Sequence, residues 1–207
     1  MKRNRKFLIG LSLFALAIIL LVAFLFSGRK DETKEAIEEV DYTYNILKNS
    51  DFEEGNFNYW KKNFLDHNEN FSLIDDIVKF EGDYSLNLTS ELDTNYLTVY
   101  QTLSYFPKDK KLILNAKVRT EGVSAAFLSI KLFSGKDSLL AMAATDTLKG
   151  TSDWTHLTTW VRTINPELSY IKVECNLKGK GRVWFDKIEL YPVEIPSGSI
   201  LPITRQK

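Results

Sequence analysis

Two histidines, one cysteine and 27 carboxylates are the groups with which this 207-residue chain could do acid–base, metal or nucleophilic chemistry. His67 and His156 lie far apart, and neither sits in an H-E-x-x-H pattern, the spacing that turns two ligands toward zinc from one helix face. Cys175 stands alone, so no intrachain disulfide or thiolate pair can form. There is no G-x-S-x-G elbow, no phosphate-binding loop and no dinucleotide fingerprint. A serine or cysteine nucleophile needs a histidine base within hydrogen-bond reach, and neither histidine's context supplies one. Paired carboxylates of the glycosidase kind could come from anywhere in the chain, so 27 acids make that reading uninformative. The chain reads as non-catalytic.

Aromatic rings interleaved with polar side chains carry a different chemistry. Phe127 and Phe133 flank Lys131, Trp160 precedes Arg162 by two, and Tyr170 shares its period-two register with Glu174 and Asn176. A flat ring stacks on an apolar ligand face while neighbouring amides and charges pair with hydroxyls, which is what a sugar requires. The candidate ligand set is Trp160, Phe127, Phe133, Tyr170 and Gln101, with Arg119, Arg162, Glu174 and Asn176 as polar partners. The plainer alternative is that these rings pack under loops or against chain ends. “NFS” at Asn70 and “NLT” at Asn87 also match the N-glycosylation pattern.

The elements that must position these groups are strands. From Asn45 to Pro192 the chain runs in short period-two alternations broken by Gly, Asn, Asp and Pro. “KLILNAKVRT” sets Leu112, Leu114, Ala116 and Val118 against Ile113, Asn115, Lys117 and Arg119. “AAFLSIKLFSG” sets Leu128, Ile130 and Leu132 against Phe127, Ser129, Lys131 and Phe133, and “YIKVECNLKG” sets Ile171, Val173, Cys175 and Leu177 against Tyr170, Lys172, Glu174 and Asn176. Adjacent side chains on a strand point opposite ways, so each strand buries one aliphatic face. Two antiparallel sheets packed on those faces satisfy them all, giving an all-β sandwich.

A separate segment precedes this domain. Phe7 to Phe26 is uncharged for twenty residues, enough for a helix to cross about 30 Å of hydrocarbon. Lys2, Arg3, Arg5 and Lys6 precede it without an acid, which holds the N-terminus in the cytoplasm and sends the rest outside. A cleaved signal peptide is the rival reading, but the apolar run is long for one and no A-x-A-like site follows. The expected order is a cytoplasmic basic stub at 1–6, a single-pass transmembrane signal anchor at 7–28, a charged stalk at 29–44, the β-domain at 45–193 and a flexible tail at 194–207. Beyond residue 28 there remain 23 bases against 27 acids, which gives no basic footprint for nucleic acid.

“NSDFEEGNFNYW”, residues 49–60, is too polar for a core strand and too aromatic for an idle loop. It is followed in order by “EGDYSLNL”, “VYQTLSYF”, “KLILNAKVRTEGV”, “DWTHLTTWVRT” and “GKGRVWFDKIELYP”. This series resembles the carbohydrate-binding modules of the family 4/9 and family 22 type, in the galactose-binding-domain-like superfamily. The matching positions are Asn49, Phe52, Glu53, Gly55, Trp60, Gly82, Ser85, Leu86, Gln101, Trp154, Phe185, Asp186, Ile188 and Leu190. The resemblance implies a jelly-roll sandwich and a structural Ca²⁺, with Glu53 and Asp186 as side-chain ligands helped by carbonyls near Ser50 or Asp51. Calcium takes about six to eight hard oxygens, and carboxylates from both ends of the domain would tie it shut. The alternative is that the two are ordinary edge acids meeting lysines in solvent. The expectation is a membrane-anchored, extracytoplasmic module that binds a glycan or polysaccharide; the rival is an envelope scaffold that uses the same sandwich for protein contacts.

Overall fold

The computed structural model describes residues 44–195. The expected stub, the expected membrane span Phe7–Phe26, and nearly all of the expected stalk and tail lie outside the described residues, among which no helix is long and apolar enough to cross a membrane.

Within them the chain forms nine antiparallel strands: β1 Lys61–Lys62, β2 Asn70–Asp75, β3 Ser85–Ser90, β4 Tyr96–Leu103, β5 Lys111–Ser134, β6 Leu139–Ala144, β7 Leu148–Arg162, β8 Leu168–Lys178 and β9 Gly181–Val193. They make one sheet in the order β1-β4-β8-β5-β9-β3-β2, with β6 and β7 on the other side of β5. β5 curls this sheet into a sandwich. Its first half pairs with β9 (Lys111 opposite Val193, Glu121 opposite Arg182) and its second half with β8 (Ala125 opposite Lys178, Phe133 opposite Tyr170). The back layer is therefore β2-β3-β9-β5-β7, and the front layer is β1-β4-β8-β5-β6.

The sequence pattern predicts two strands where the molecule has one. Residues 111–120 and 125–134 belong to a single 24-residue element. Three register shifts against β7, between Val118 and Ala126, absorb the corner without ending the ladder. Gly122 sits in that corner at φ 58°, a conformation that costs an L side chain energy and glycine nothing.

The aliphatic faces read from the sequence meet in one core. Leu112, Leu114 and Leu190 from the back layer, and Leu128, Ile130, Ile171 and Val173 from the front, have no exposed surface. Each such side chain contributes about 1.5–3 kcal/mol relative to exposure. Cys175 is buried among them, and burial, with Glu174 adding, pushes its thiol well up, so it serves as a small apolar packing group.

The 49–60 stretch forms the first corner of the sandwich. Phe52 is fully buried and its ring lies 5.4 Å from that of Trp60, whose indole N–H donates to the Asn49 carbonyl at 2.8 Å. Ile46 N–H donates to Leu190 O and Ile188 N–H to Ser50 O, so this corner is stitched to β9 by backbone hydrogen bonds. Asn45 closes the seam, donating to Ile188 O and accepting from Leu190 N–H.

Candidate functional site

The outward side of the front layer gathers five of the nine candidate ligand residues. Register places Thr98, Asn176 and Phe127 in one row, Tyr100, Glu174 and Ser129 in the next, and Thr102, Lys172 and Lys131 in a third. Tyr170 lies opposite Phe133 in a fourth row, and the two rings stack at 4.9 Å with planes 9° apart. The Tyr170 hydroxyl donates to Asp137 at 2.8 Å, which fixes the ring. Lys172 Nζ lies 5.1 Å from the Tyr100 centroid, 5.3 Å from Phe133 and 5.9 Å from Tyr170, inside cation–π range of all three.

The first two rows of this face carry a satisfied polar network. Glu174 is only 7% exposed although it faces outward. A carboxylate taken out of water must be paired, and Lys131 Nζ meets it at 2.7 Å while Ser129 Oγ donates to it at 2.8 Å. Asn176 is fully buried; it donates to Ser129 Oγ at 3.1 Å and accepts from the Tyr96 and Thr98 hydroxyls, both at 3.0 Å. Such a network holds its members in one arrangement, because any displacement leaves a buried polar group unpaired. The face thus sets partly exposed rings and the Lys172 ammonium on strands that a buried polar network holds in place.

The remaining four candidates lie elsewhere, which narrows the expected face. Gln101 is 3% exposed on the Val99 side of β4, and it clamps the backbone of Lys48 by accepting at 2.9 Å and donating at 2.8 Å. It is a strut between β4 and the first corner. Trp160 and Arg162 lie on β7 opposite Ile113 and Lys111, in the back layer. Trp160 is half-exposed, with Lys111 Nζ 4.7 Å and Arg162 Cζ 5.9 Å from its ring. Arg119 is opposite Trp184 on the same layer, and its guanidinium stacks 5.7 Å over that buried indole. Tyr96, Tyr100 and Lys172 join the front face in their place. Their signal was the same period-two alternation along β4 and β8. Asn70 and Asn87, the two potential glycosylation acceptors, are buried and hydrogen-bonded within the fold.

The expected metal ligands share a cleft of about 390 Å³ with Asn45, Ser50, Asp51 and Glu81. Glu53 accepts from the backbone N–H groups of Asp83 and Tyr84, and Asp186 from those of Phe80, Glu81 and Lys187. A Cβ on Gly82 would stand 2.3 Å from Glu53 Oε1, so glycine is what lets the loop close over that carboxylate. Burial pushes the Asp186 carboxyl up against the pull of its backbone donors, and the nearby Glu53 charge adds to the rise. The donors are hard oxygens around excess negative charge, which fits a calcium ion chemically. Among the described residues, no group of three or more His, Cys, Asp or Glu is gathered at metal-holding distance.

No protein-family model matches the chain, and no curated protein matches its sequence. Its fold is similar to solved structures. The enzymatically active domain of tailspike protein 4 from bacteriophage CBA120 superimposes with a TM-score of 0.61 at 10% identity; the match covers 72% of this chain but only 21% of that one. The CBM22-2 xylan-binding domain of Paenibacillus barcinonensis Xyn10C gives 0.55 at 14% identity, covering 70% of this chain and 98% of that one. TmCBM61, solved with β-1,4-galactotriose, gives 0.50 at 17% identity, covering 72% and 99%. At these identities the likeness shows the fold alone, a β-sandwich.

Proposed function

We propose that the chain is a non-catalytic glycan-binding protein whose binding surface is the outward side of the front layer. The observation that carries this reading is the stacked Phe133–Tyr170 pair on the same outward face as the buried Glu174–Asn176 network, two to three rows along the strands. The likeness to xylan- and galactotriose-binding modules supports it. In this reading Phe127, Phe133, Tyr100 and Tyr170 supply stacking area, half-exposed Tyr96 offers its hydroxyl, and the buried network fixes the strands that carry them. Losing one platform ring costs about 1–3 kcal/mol of affinity, by analogy with other base and ring stacking contacts.

The proposal includes the setting. Phe7–Phe26 anchors the chain in the cytoplasmic membrane, with the N-terminus in the cytoplasm and the sandwich outside, where it holds a polysaccharide near the envelope. A calcium ion at the first corner would be held by Glu53 and Asp186, with carbonyls near Ser50 or Asp51. When bound, it supplies the positive charge that offsets two neighbouring carboxylates. The residues of the corner already bind the 80–84 loop and β9 to one another.

The test is a glycan array probed with the full-length chain in a sugar-free detergent. Binding to at least one polysaccharide class, weakened by Phe133→Ala, is the expected result. A second reading, envelope scaffolding through protein contacts, draws on β6. This edge strand pairs with β5 and exposes Leu139 and Met142, each by more than half. Unpaired edges invite added strands. An array without any glycan signal, with pull-down of a partner that Met142→Lys abolishes, would favour that reading.

A further inference from the structure

Glycan binding at the front face, if it is the function, still leaves open which class of glycan; the charge arrangement there discriminates. Lys131 and Lys172 stand directly opposite each other on β5 and β8. Like charges in that relation destabilise a sheet. One carboxylate, Glu174, lies in the next row, and it is committed to Lys131 at 2.7 Å. Among the described residues no carboxylate forms an ion pair with Lys172, whose ammonium is surrounded by the rings of Tyr100, Phe133 and Tyr170.

The same imbalance holds over the whole face. Its outward strand positions carry Lys61, opposite Tyr100, together with Lys131, Lys172 and Lys178, against Glu174, to which the β5–β6 turn adds only Asp137, bonded to the Tyr170 hydroxyl. The domain from 44 to 195 has 18 bases and 21 acids, so this local excess runs against its overall sign. Ring faces attract a cation and hold it above the platform. An ammonium kept there is within reach of a substituent on any sugar that stacks on those rings. An anion brought by the ligand would meet Lys172 and relieve its repulsion with Lys131.

We infer that the front face selects acidic glycans, and that Lys172 pairs with the carboxylate of a uronic acid residue. The inference rests on the glycan-binding reading and adds the substrate class. Neutral sugars can stack on the same rings, but they leave Lys172 without an anion.

The experiment compares polygalacturonate, alginate and hyaluronate with their carboxyl-methylated forms, and with neutral β-1,4-xylan and β-1,4-galactan, by affinity electrophoresis of the full-length chain. At least one acid polymer should bind about tenfold or more tightly than its ester, the preference shrinking as salt rises. Lys172→Met should bring the acid-to-ester ratio close to one, and Lys172→Arg should keep it. Lys172→Met should also raise the melting temperature slightly, since it removes the like-charge pair, so loss of preference cannot be mistaken for loss of fold. Equal binding of every acid and its ester, or a preference that survives Lys172→Met, overturns the acidic-glycan inference and leaves the glycan-binding reading standing. Failure of every polysaccharide, acidic or neutral, overturns both.

Discussion

At Trp184 on the back layer the ring is engaged by two of the chain's own cations, and those cations are answered by an acid. Trp184 is 2% exposed between Arg119 and Arg182, both 5.7 Å from its ring, and Glu121 lies within 4 Å of each guanidinium. Its indole N–H donates to Asp75 at 2.7 Å. On the front layer the rings of Phe133 and Tyr170 stack on each other, the polar network further along the same strands is closed internally, and among the described residues no acid forms an ion pair with Lys172. Trp184 is spent on holding strands together; the front rings keep a platform beside a lysine that no acid among the described residues pairs. Aromatic content alone therefore does not mark a binding surface. What marks it is aromatic area and charge left over after the fold's own pairings are made.

That contrast can be broken at four points, from the largest expected effect to the smallest. Glu174→Ala should destabilise the domain by about 3 kcal/mol, because it strands Lys131 and Ser129 over a buried network, whereas the exposed Glu121→Ala on the back should cost less than about 1 kcal/mol. Chemical denaturation of both variants measures this, and equal costs would remove the distinction between the faces. Calcium at about 100 times its dissociation constant should stabilise the chain by about 2.7 kcal/mol, and a chelator should reverse this while front-face ligand binding persists. A melting temperature indifferent to both would rule out the metal corner.

Trp184→Phe keeps the ring and removes its donor, costing about 1 kcal/mol at neutral pH. Its effect depends on pH through Asp75. Burial pushes that carboxyl up, but the indole N–H, the Val78 and Ile77 amides and the charge of Arg182 outweigh burial and hold it below the ordinary range. The stability it contributes is present above the ordinary carboxylate range and lost as pH falls through the lowered value. Trp184→Phe should thus shrink the acid-dependent part of the unfolding curve. Smallest of all, Arg182→Ala should change stability by about 0.5 kcal/mol or less, since its pair with Glu121 is exposed and 3.9 Å long.

The strands and their buried faces were legible because period two decides which side chains enter the core; Leu128, Ile130, Val173 and Cys175 all point where alternation puts them. The first corner was legible for a similar reason, since Phe52 and Trp60 can be read as anchors from their place in “NSDFEEGNFNYW”. Alternation does not say which strands share a layer. Trp160 and Tyr170 both lie on polar sides, yet pairing with the first half of β5 sends one to the back and pairing with its second half sends the other to the front. That division depends on the Gly122 corner, where the ladder shifts register without stopping. Gln101 was misplaced for another reason. An amide within an aliphatic series suggests a ligand contact, but its partner is the backbone of Lys48, 53 residues away, which no local pattern reveals.

The central claim is that the front face, not the Trp160 face, binds the ligand. The most direct measurement is titration calorimetry of whichever polysaccharide scores highest on the array, with the full-length chain, Tyr170→Ala and Trp160→Ala. The account predicts that Tyr170→Ala weakens binding about five- to 100-fold, while Trp160→Ala stays within about twofold of the parent. Affinity lost in Trp160→Ala and kept in Tyr170→Ala would contradict it.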